Sequence, residues 1–351
     1  MQIITGGLAM IETTVKEKQN VMTLSRPIGI LSSGMFVPEN EVSNEDLSSH
    51  LDTSDEWIVD KTGIKTRRFV SEDQATSDLC IEAAKQAIEN AGLDAQEIDA
   101  IIIASFTPDQ ILPSTSVIVK DALGINNAIT IDMNQAACAG GIYGLFLGTH
   151  LLQNPSIQHV LVIGAESLSK YTNPQDRTTR VFFGDAAGAV ILHHEADGYN
   201  LLSWELDSEL SYKVEIPAGG SRKPTNEWTV KQDEHYIKMD GRTVWNMATK
   251  HLPNSIQAVI DQMELTPDDI DHYIVHQANL NIIQEVLKKL GQPDHKTTIN
   301  IDKFGNTGAA TVLTVLHQAM NTKAVASGDT LVIGGIGAGF IWGALGLSRT
   351  T

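Results

Sequence analysis

A single cysteine, Cys138, stands among small residues in the stretch 134–141, with an apolar run before it and an amphipathic run after it. This pattern predicts a strand, a tight turn and a helix whose first turn carries the cysteine. A thiol at a helix N-terminus lies at the positive end of the helix dipole, which lowers its pKa and favours the nucleophilic thiolate. The alternative is a structural cysteine, because cysteine is among the most buried residue types.

A histidine and an asparagine occupy two further turns in the second half of the chain. His276 follows a predicted strand in Val-His-Gln-Ala-Asn, and Asn306 lies in Gly-Asn-Thr-Gly-Ala-Ala. A neutral imidazole and an amide can both donate to a carbonyl oxygen as it becomes an enolate, without burying a net charge. Loss of CO2 from a malonyl thioester leaves such an enolate, which needs hydrogen-bond donors. The alternatives are a surface or core histidine and an asparagine that serves a turn.

The glycine-rich segment 334–339, interpreted as a turn, could complete such a site. Acyl transfer to a thiolate needs backbone N–H donors for the oxyanion. The N–H of Cys138 is one donor, and a turn with few side chains can bring a second N–H close to it. His272 and His276 are spaced as on one face of a strand, which raises a metal site as an alternative. No cluster of cysteines or carboxylates accompanies them in the sequence, so we expect no metal.

Short apolar runs alternate with amphipathic runs along the chain. They predict strands near 29–37, 98–105, 128–132, 159–164 and 184–192, and helices near 76–91 and 114–123. This alternation predicts an α/β fold with largely parallel strand pairing. Cys80 falls in the first of these helices, where core packing is its simplest interpretation.

The second half of the sequence resembles the first at an offset of 170 to 172 residues. Leu-Val-Ile-Gly occurs at 161–164 and again at 331–334, and a second apolar pattern recurs at similar spacing. These repeats indicate an internal duplication, although buried strands draw on few residue types and can agree by chance. The same offset carries Cys138 to Gly308, inside the turn of Asn306. The candidate residues then come from turns at one end of the strands, where α/β folds place ligand sites.

Composition narrows the class of protein. The chain has 351 residues, which fits one large domain or two similar ones, and its formal charge of −18 argues against nucleic-acid and anionic-membrane partners. Its two cysteines do not form a disulfide framework. The N-terminus lacks a signal-peptide pattern, and no apolar run reaches the length of a membrane helix, so we expect a cytoplasmic protein. Residues 1–26 carry little periodicity and are interpreted as an N-terminal extension.

Taken together, these motifs resemble those of β-ketoacyl-acyl-carrier-protein synthase III. The similarity rests on Ala-Ala-Cys-Ala-Gly, His-Gln-Ala-Asn, Gly-Asn-Thr-Gly-Ala-Ala, Gly-Ala-Gly-Phe-Ile-Trp-Gly and Asp-Glu-Trp-Ile-Val, in family order from about residue 28 to the end. It implies the thiolase fold, an α/β arrangement of five layers, αβαβα, built from two duplicated halves and usually homodimeric. The halves would be 27–195, which carries the cysteine, and 196–351, which carries the histidine and the asparagine.

The resemblance also implies a site and a reaction. The catalytic residues would be Cys138, His276 and Asn306, and the N–H groups of Cys138 and Ala338 would form the oxyanion hole. An acyl group from acyl-CoA or an acyl carrier protein would load on Cys138, and decarboxylative condensation with a malonyl or β-ketoacyl thioester would follow. No cofactor is implied, because acyl-CoA is a substrate, and the partners would be malonyl- or acyl-acyl carrier protein. Fatty acid initiation and a specialised, polyketide-like pathway both fit.

The same resemblance implies a coenzyme A channel. Trp57 and Arg177 would lie on the two faces of the adenine, and Lys61 would lie near the phosphates. Gly241 and Asn279 would line the pantetheine arm. Basic residues at this channel would offset the negative charge of the whole chain where an anionic substrate enters.

Several positions depart from the family pattern. Lys61 and Asn281 replace arginines, which weakens the case for the usual docking of the carrier protein, although Arg242 and the pair Lys288–Lys289 could compensate. Leu112 stands where a neighbouring subunit often supplies a large aromatic side chain to the acyl pocket. A smaller side chain there could admit a longer or branched acyl group.

The same residues leave alternatives to condensation. An acyltransferase on the same scaffold could form an ester, an amide or a ring product without decarboxylation, and it stays open as the alternative. A non-catalytic partner subunit usually loses the nucleophile. Because this sequence keeps the cysteine, the histidine and the asparagine, that alternative is disfavoured.

Overall fold

The computed structural model describes residues 24–134, 136–194, 200–326 and 328–348. Most of the predicted extension, 1–26, and the predicted boundary between the halves at 195 and 196 lie outside these residues. None of the described helices is both long enough and apolar enough to cross a bilayer.

The described strands are β1 (Ile28–Phe36), β2 (Glu41–Ser43), β3 (Thr66–Arg68), β4 (Ala100–Ala104), β5 (Ile129–Met133), β6 (His159–Glu166), β7 (Ala186–His194), β8 (Asn200–Ser208), β9 (Val214–Glu215), β10 (Lys238–Met239), β11 (His272–Val275), β12 (Leu331–Gly337) and β13 (Ile341–Ser348). The described α-helices are α1 (Asn44–Ser48), α2 (Asp55–Thr62), α3 (Thr76–Ala91), α4 (Thr115–Ala122), α5 (Gly140–Leu151), α6 (Glu227–Lys231), α7 (Gly241–Gln262), α8 (Leu280–Lys289), α9 (Ile301–Phe304) and α10 (Thr311–Asn321). Strands and helices thus alternate as the sequence pattern predicts.

Helix α3 shows how local sequence sets an element and its packing. The Asp78 carboxylate accepts from the backbone N–H of Ala75, which satisfies a donor at the N-terminus. Gly92 ends the helix in the left-handed conformation at φ 67°, where a residue without a Cβ is favoured. Between these ends, one face of the helix is buried, and it includes Leu79 and Cys80, both with no exposed surface. The core position predicted for Cys80 is therefore confirmed.

The main sheet has the strand order β11-β12-β13-β8-β1-β7-β6-β4-β5. Parallel pairing joins β4 to β5, β4 to β6 and β11 to β12, and the remaining neighbours in the described sheet are antiparallel. The predicted dominance of parallel pairing is therefore wrong. The reason lies in the connections, because a parallel neighbour needs a long crossover whereas β13 returns from β12 after a turn of three residues, 338–340.

The sheet contains the same pattern of strands twice. In the first half the order is β1-β7-β6-β4-β5, and in the second it is β8-β13-β12-β11 with equal strand directions. A parallel bridge between Tyr273 and Thr297 occupies the place of the β4–β5 pairing. The repeated Leu-Val-Ile-Gly segments lie in β6 and β12, at corresponding places in the two halves. This agreement confirms the duplication predicted from the sequence.

Helices pack on the sheet in layers. Apolar residues of α3 and α4 cover one face of β4, β6 and β7, and those of α7 and α8 cover β11, β12 and β13. Helices α5 and α10 lie between the two halves of the sheet, where they form the central core cluster with side chains of both. The five layers αβαβα are thus present. Both central helices begin at the end of the sheet where the candidate residues were expected.

Candidate active site

Cys138 lies in a short 3₁₀ turn, Ala137–Ala139, between β5 and α5. The residue before it, Ala137, has a φ of 43°, a left-handed conformation that is uncommon for a residue with a side chain. The predicted strand, turn and helix are all found. The cysteine, however, precedes the first residue of α5 by two positions instead of lying within that helix.

The protonation state of Cys138 differs from the sequence-based expectation. Burial, and to a smaller extent the nearby Glu166 carboxyl, raises the pKa of its thiol to about 12, and a hydrogen bond from the Asn306 side chain acts in the opposite direction. The prediction of a lowered pKa at a helix N-terminus is therefore wrong. Desolvation penalises the charged form of the sulfur more than the helix dipole stabilises it. Reaction at this sulfur thus requires a group that takes its proton.

His276 follows β11 and is held there by a continuation of the sheet, its N–H donating to the Gly334 carbonyl oxygen at 2.8 Å. The side chain is buried, and burial lowers its pKa to about 3, so the imidazole is neutral. Its Nδ1 atom lies 2.5 Å from the Thr311 hydroxyl oxygen. Since Nδ1 is engaged, Nε2 is the ring nitrogen left to face the cavity that His276 lines.

Asn306 lies between α9 and α10, where two backbone hydrogen bonds hold it in place. Its N–H donates to the Phe182 carbonyl oxygen at 2.8 Å, and its own carbonyl oxygen accepts from Gly184 at 3.0 Å. The side-chain Oδ1 accepts from the Gly308 N–H at 2.9 Å. This bond fixes the orientation of the amide and leaves the NH2 group to donate to the Cys138 thiol.

These residues converge on one cavity of about 340 Å³. Cys138, His276, Asn306 and Ala338 all line it. The rest of the lining is mostly apolar and includes Phe106, Phe183, Val214, Ile216, Ile237, Met239, Val244, Ile336 and Phe340. The structure therefore brings together the residues that the sequence analysis selected, in a space suited to an apolar acyl chain.

The glycine-rich segment approaches the nucleophile closely. Its first four residues, Gly334–Gly337, lie in β12, so the prediction that the whole segment 334–339 forms a turn is wrong. A Cβ atom on Gly337 would lie 2.7 Å from the Cys138 backbone nitrogen and 2.9 Å from the Ala136 carbonyl oxygen. The missing side chain is what lets β12 come this near to the Cys138 N–H.

Gly337→Ala is therefore expected to displace the proposed oxyanion donors. A methyl group at this position must push the Cys138 turn or β12 away, and losing one such donor costs roughly 10²-fold in rate. We expect acyl loading of Cys138 to slow by that order while the protein stays folded, measured by time-resolved intact-mass spectrometry. Gly220→Ala is the matched control, because no atom lies within 4 Å of a Cβ at Gly220. Equal loading rates in the two variants would contradict this interpretation.

A second cavity of about 280 Å³ adjoins the first. Trp57, Lys61, Gly241 and Asn279 line it, and it shares Phe183, Met239, Val244, Ala278 and Asn306 with the Cys138 cavity. Because the two cavities share these five residues, we interpret them as one passage that leads from Trp57 to the sulfur. The Arg177 guanidinium lies 5.4 Å from the centroid of the Trp57 ring, at the mouth of this passage.

Polar contacts fix the wall of the passage at the junction of α2 and α8. The Asn279 side chain caps α8 by accepting from the Asn281 N–H and donates to the Lys61 carbonyl oxygen at 2.8 Å. Asn281 donates to the carbonyl oxygens of Asp60 and Lys61 at 3.2 and 3.1 Å. Asn281 thus ties two helices together. The Lys61 ammonium is 2.8 Å from Asp60, in an exposed ion pair of the kind that contributes little stability.

Leu112 does not line the acyl cavity of its own chain. Its side chain is 81% exposed and that of Ile111 is 83% exposed, on the segment that precedes α4. The predicted contribution of Leu112 to an acyl pocket concerned a neighbouring subunit, so it stays a prediction.

Two buried polar groups near the site were not selected by sequence reasoning. Thr311 contacts His276, and Glu166 at the end of β6 accepts hydrogen bonds from the Thr107 hydroxyl at 2.6 Å and the Ser105 hydroxyl at 3.2 Å. Burial raises the pKa of Glu166 to about 8. A single carboxylate directly after the buried segment Val160–Ala165 was the available signal for Glu166.

The raised pKa of Glu166 determines whether folding stability rises or falls with pH. An unfolded chain releases this proton near the ordinary pKa of 4.5, whereas the folded protein holds it to about 8. Folding stability should therefore fall as the pH rises between these values, by roughly 5 kcal/mol for this group. Glu166→Gln should remove that slope, whereas Glu89→Gln on the exposed face of α3 should keep it, as measured by urea unfolding across this pH range. An unchanged slope in Glu166→Gln would assign the pH dependence to other groups.

His272 and His276, the two histidines considered as metal ligands, each have a ring nitrogen paired with a threonine hydroxyl. His272 Nε2 is paired with the Thr298 hydroxyl at 2.9 Å, and His276 Nδ1 with Thr311. Within the described ranges, the structure holds no group of three or more histidine, cysteine, aspartate or glutamate side chains placed to bind a metal ion.

Comparison with known proteins gives a consistent family. The sequence profile described as 3-oxoacyl-acyl-carrier-protein (ACP) synthase III matches residues 131–209, and that of its C terminal matches residues 260–348. The beta-ketoacyl-acyl-carrier-protein synthase III of Symbiobacterium thermophilum is 41% identical over 324 residues, which are 92% of this chain and 98% of that protein. The protein of the same name from Caldanaerobacter subterraneus is 43% identical over 316 residues, 90% of this chain and 95% of its own.

Solved structures agree. The crystal structure of 3-oxoacyl-acyl-carrier-protein synthase III from Aquifex aeolicus superposes with a TM-score of 0.84 at 34% identity, covering 92% of this chain and 100% of that one. The priming beta-ketosynthase from the R1128 polyketide biosynthetic pathway also superposes with a TM-score of 0.84, at 27% identity, covering 92% and 96%. The fold is therefore the thiolase fold, and the chain belongs to the β-ketoacyl-acyl-carrier-protein synthase III family.

Proposed function

We propose that this protein catalyses decarboxylative condensation between an acyl group carried on Cys138 and a malonyl thioester. The observation that carries the proposal is the convergence of Cys138, His276 and Asn306 on one mostly apolar cavity, which adjoins a second cavity lined by Trp57. A thiol, two neutral donors and an apolar pocket are what the two steps of such a reaction need.

In the first step, the Cys138 sulfur attacks the carbonyl carbon of an acyl thioester and the carrier thiol leaves. The N–H groups of Cys138 and Ala338 donate to the oxyanion. Because burial raises the pKa of the thiol, the sulfur proton has to move to an acceptor as the bond forms. The apolar lining then holds the acyl chain away from water.

In the second step, the malonyl thioester loses CO2 and its carbonyl oxygen takes up negative charge. His276 Nε2 and the Asn306 NH2 group donate to that oxygen. Burial that keeps His276 neutral also keeps a net positive charge out of an apolar cavity. The carbanion attacks the acyl carbon on Cys138, which frees the sulfur and yields a β-ketoacyl thioester.

The carriers of both thioesters enter by the passage at Trp57. Trp57 and Arg177 would flank an adenine, and Lys61 would lie near the phosphates, so acyl-CoA is the proposed acyl donor. Gly241 and Asn279 would line the pantetheine arm, which coenzyme A and acyl carrier proteins share. Malonyl- or acyl-acyl carrier protein is the proposed protein partner, since many relatives carry that carrier in their names.

A homodimer is proposed from the exposed apolar surface beside the site. Strand β5 lies at one edge of the sheet. Its residue Ile129 is 48% exposed, and the nearby Val117 and Leu112 are 44% and 81% exposed. An apolar edge strand without a cover is a pairing site for a second copy. In that dimer Leu112 would reach the acyl pocket of the other subunit. Sedimentation analysis of the protein and of Ile129→Lys tests this, since a monomeric parent protein would exclude it.

Product analysis distinguishes condensation from simple acyl transfer. The protein is incubated with a panel of acyl-CoAs and acyl carrier proteins, together with malonyl-CoA or malonyl carrier protein, and the products are identified by mass spectrometry. Condensation gives a β-ketoacyl thioester and releases CO2. An ester, an amide or a cyclic product formed without CO2 release would favour the acyltransferase instead, and the panel also shows which acyl group and which carrier are used.

A further inference from the structure

The ring of His276 is held by a hydroxyl group that can bond in two ways. Thr311 is buried, and its Oγ1 lies 2.5 Å from His276 Nδ1 and 3.1 Å from the Gly308 carbonyl oxygen. A hydroxyl carries one proton, so it donates to only one of these partners at a time. The Gly308 oxygen also accepts from the Thr311 backbone N–H, so it keeps a donor in either case.

The two positions of this proton fix opposite states of the imidazole. If the hydroxyl donates to Gly308, the neutral ring must carry its proton on Nδ1, and Nε2 presents a lone pair to the cavity. If the hydroxyl donates to Nδ1, the ring proton must be on Nε2, which then presents a donor. The first state makes one more hydrogen bond, so it is the resting state. The second is favoured when a carbonyl oxygen in the cavity offers Nε2 an acceptor.

We propose that Thr311 is a positioning residue whose hydroxyl sets the tautomer of His276, and that the two half-reactions use the two tautomers in turn. This inference rests on the proposed function. In acyl loading, the S–H bond of Cys138 breaks as the S–C bond forms, and the proton moves to the free Nε2. The departing carrier thiolate takes that proton back, so the ring ends neutral. Between the two half-reactions the ring releases its Nδ1 proton to solvent water and takes one from water on Nε2, so it stays neutral while the Thr311 hydroxyl turns from Gly308 to Nδ1. In decarboxylation, Nε2 donates that proton in a hydrogen bond to the developing enolate.

Removing the hydroxyl should affect the two half-reactions differently. Thr311→Val keeps the shape of the side chain but leaves Nδ1 without a partner. An orphaned buried N–H is less tolerated than an orphaned acceptor, so the variant should hold the ring proton on Nε2. That tautomer can donate to an enolate but cannot accept the proton of Cys138. Loading should therefore slow strongly while decarboxylation persists, which a general loss of structure would not produce.

The tautomer is measured directly by nitrogen NMR of the full-length protein labelled with ¹⁵N-histidine, with the His276 signals assigned by their loss in His276→Ala. We expect the proton on Nδ1 in the parent protein and in Thr311→Ser, and on Nε2 in Thr311→Val. Thr314→Val is the matched control, because its buried hydroxyl donates to the Thr311 carbonyl oxygen one turn along the helix. A parent protein with its proton on Nε2, or no change in Thr311→Val, would overturn the proposal.

The half-reactions give the second readout. Loading of Cys138 from acyl-CoA, followed by intact mass, should slow by roughly 100-fold in Thr311→Val, recover in Thr311→Ser and stay unchanged in Thr314→Val. Decarboxylation of malonyl-CoA, measured on a Cys138→Ala background where no acyl enzyme forms, should stay near the parent rate. Equal losses of both activities in Thr311→Val would mean that the Thr311 hydroxyl has only a structural role, which would overturn the proposal. Failure of the parent protein in both assays would instead refute the proposed function, while the NMR measurement would still decide the tautomer.

Discussion

Replacing Cys138 with alanine is expected to abolish acyl loading and, with it, all condensation. The sulfur is the atom that carries the acyl group between the two half-reactions, and no second thiol and no hydroxyl side chain is present among the described residues that line the cavity. After exposure to acyl-CoA, the parent protein should gain the mass of one acyl group. The Cys138→Ala protein should gain none. Peptide mapping of the parent protein should place the added mass on Cys138.

Cys80 provides the matched control for this experiment. It is the second cysteine of the chain and is fully buried in α3, where burial raises the pKa of its thiol well above the ordinary value. Cys80→Ala removes a thiol of the same chemistry from the core, and it should load normally, with a modest loss of stability from the lost core volume. Acyl mass on Cys80, or loading that survives in Cys138→Ala, would contradict the assignment of the nucleophile.

Removing the donors to the enolate is expected to give the second largest effect. On the Cys138→Ala background, His276→Ala or Asn306→Ala should slow the decarboxylation of malonyl-CoA by roughly 10²- to 10³-fold, the cost of losing one donor to a developing oxyanion. The reason is that His276 and Asn306 line the same cavity, and the Gly308 N–H fixes the Asn306 amide so that its NH2 group is left to donate. Release of CO2 measures the effect.

The variant that combines His276→Ala with Asn306→Ala supplies the internal control for that prediction. Two donors that act on one oxygen as a unit are not independent, so removing both should cost less than the product of the single losses. Independent, multiplicative losses would indicate that the two side chains act on different atoms. CO2 release unchanged in either single variant would contradict the role of that residue.

Much of the fold could be predicted because the relevant signals are local or repeated. The strand, the turn and the helix around Cys138 follow from the order of apolar and small residues, and the repeat of Leu-Val-Ile-Gly indicated the duplication that β6 and β12 display. Strand direction was not predictable in this way. An apolar run has the same composition in a parallel and an antiparallel neighbour, and only the short connection 338–340 between β12 and β13 carried a signal for reversal.

The electrostatics of the site could not be predicted from the sequence. The position of Cys138 before a helix suggested a lowered pKa, but the pKa of the thiol depends chiefly on how much protein surrounds it. The roles of Glu166 and Thr311 are equally non-local. Glu166 meets Thr107 across 59 positions of the chain, and Thr311 meets His276 across 35. Only the folded chain brings these groups together.

A single-turnover chase tests the central claim most directly. The protein is loaded with an acyl group from acyl-CoA, freed of excess donor, and mixed with a malonyl thioester labelled in its free carboxylate. The account requires that Cys138 lose its acyl mass while one equivalent of labelled CO2 and one of β-ketoacyl thioester appear. Loss of the acyl group as an acid, an ester or an amide without release of label, or retention of the acyl mass on Cys138, would contradict it.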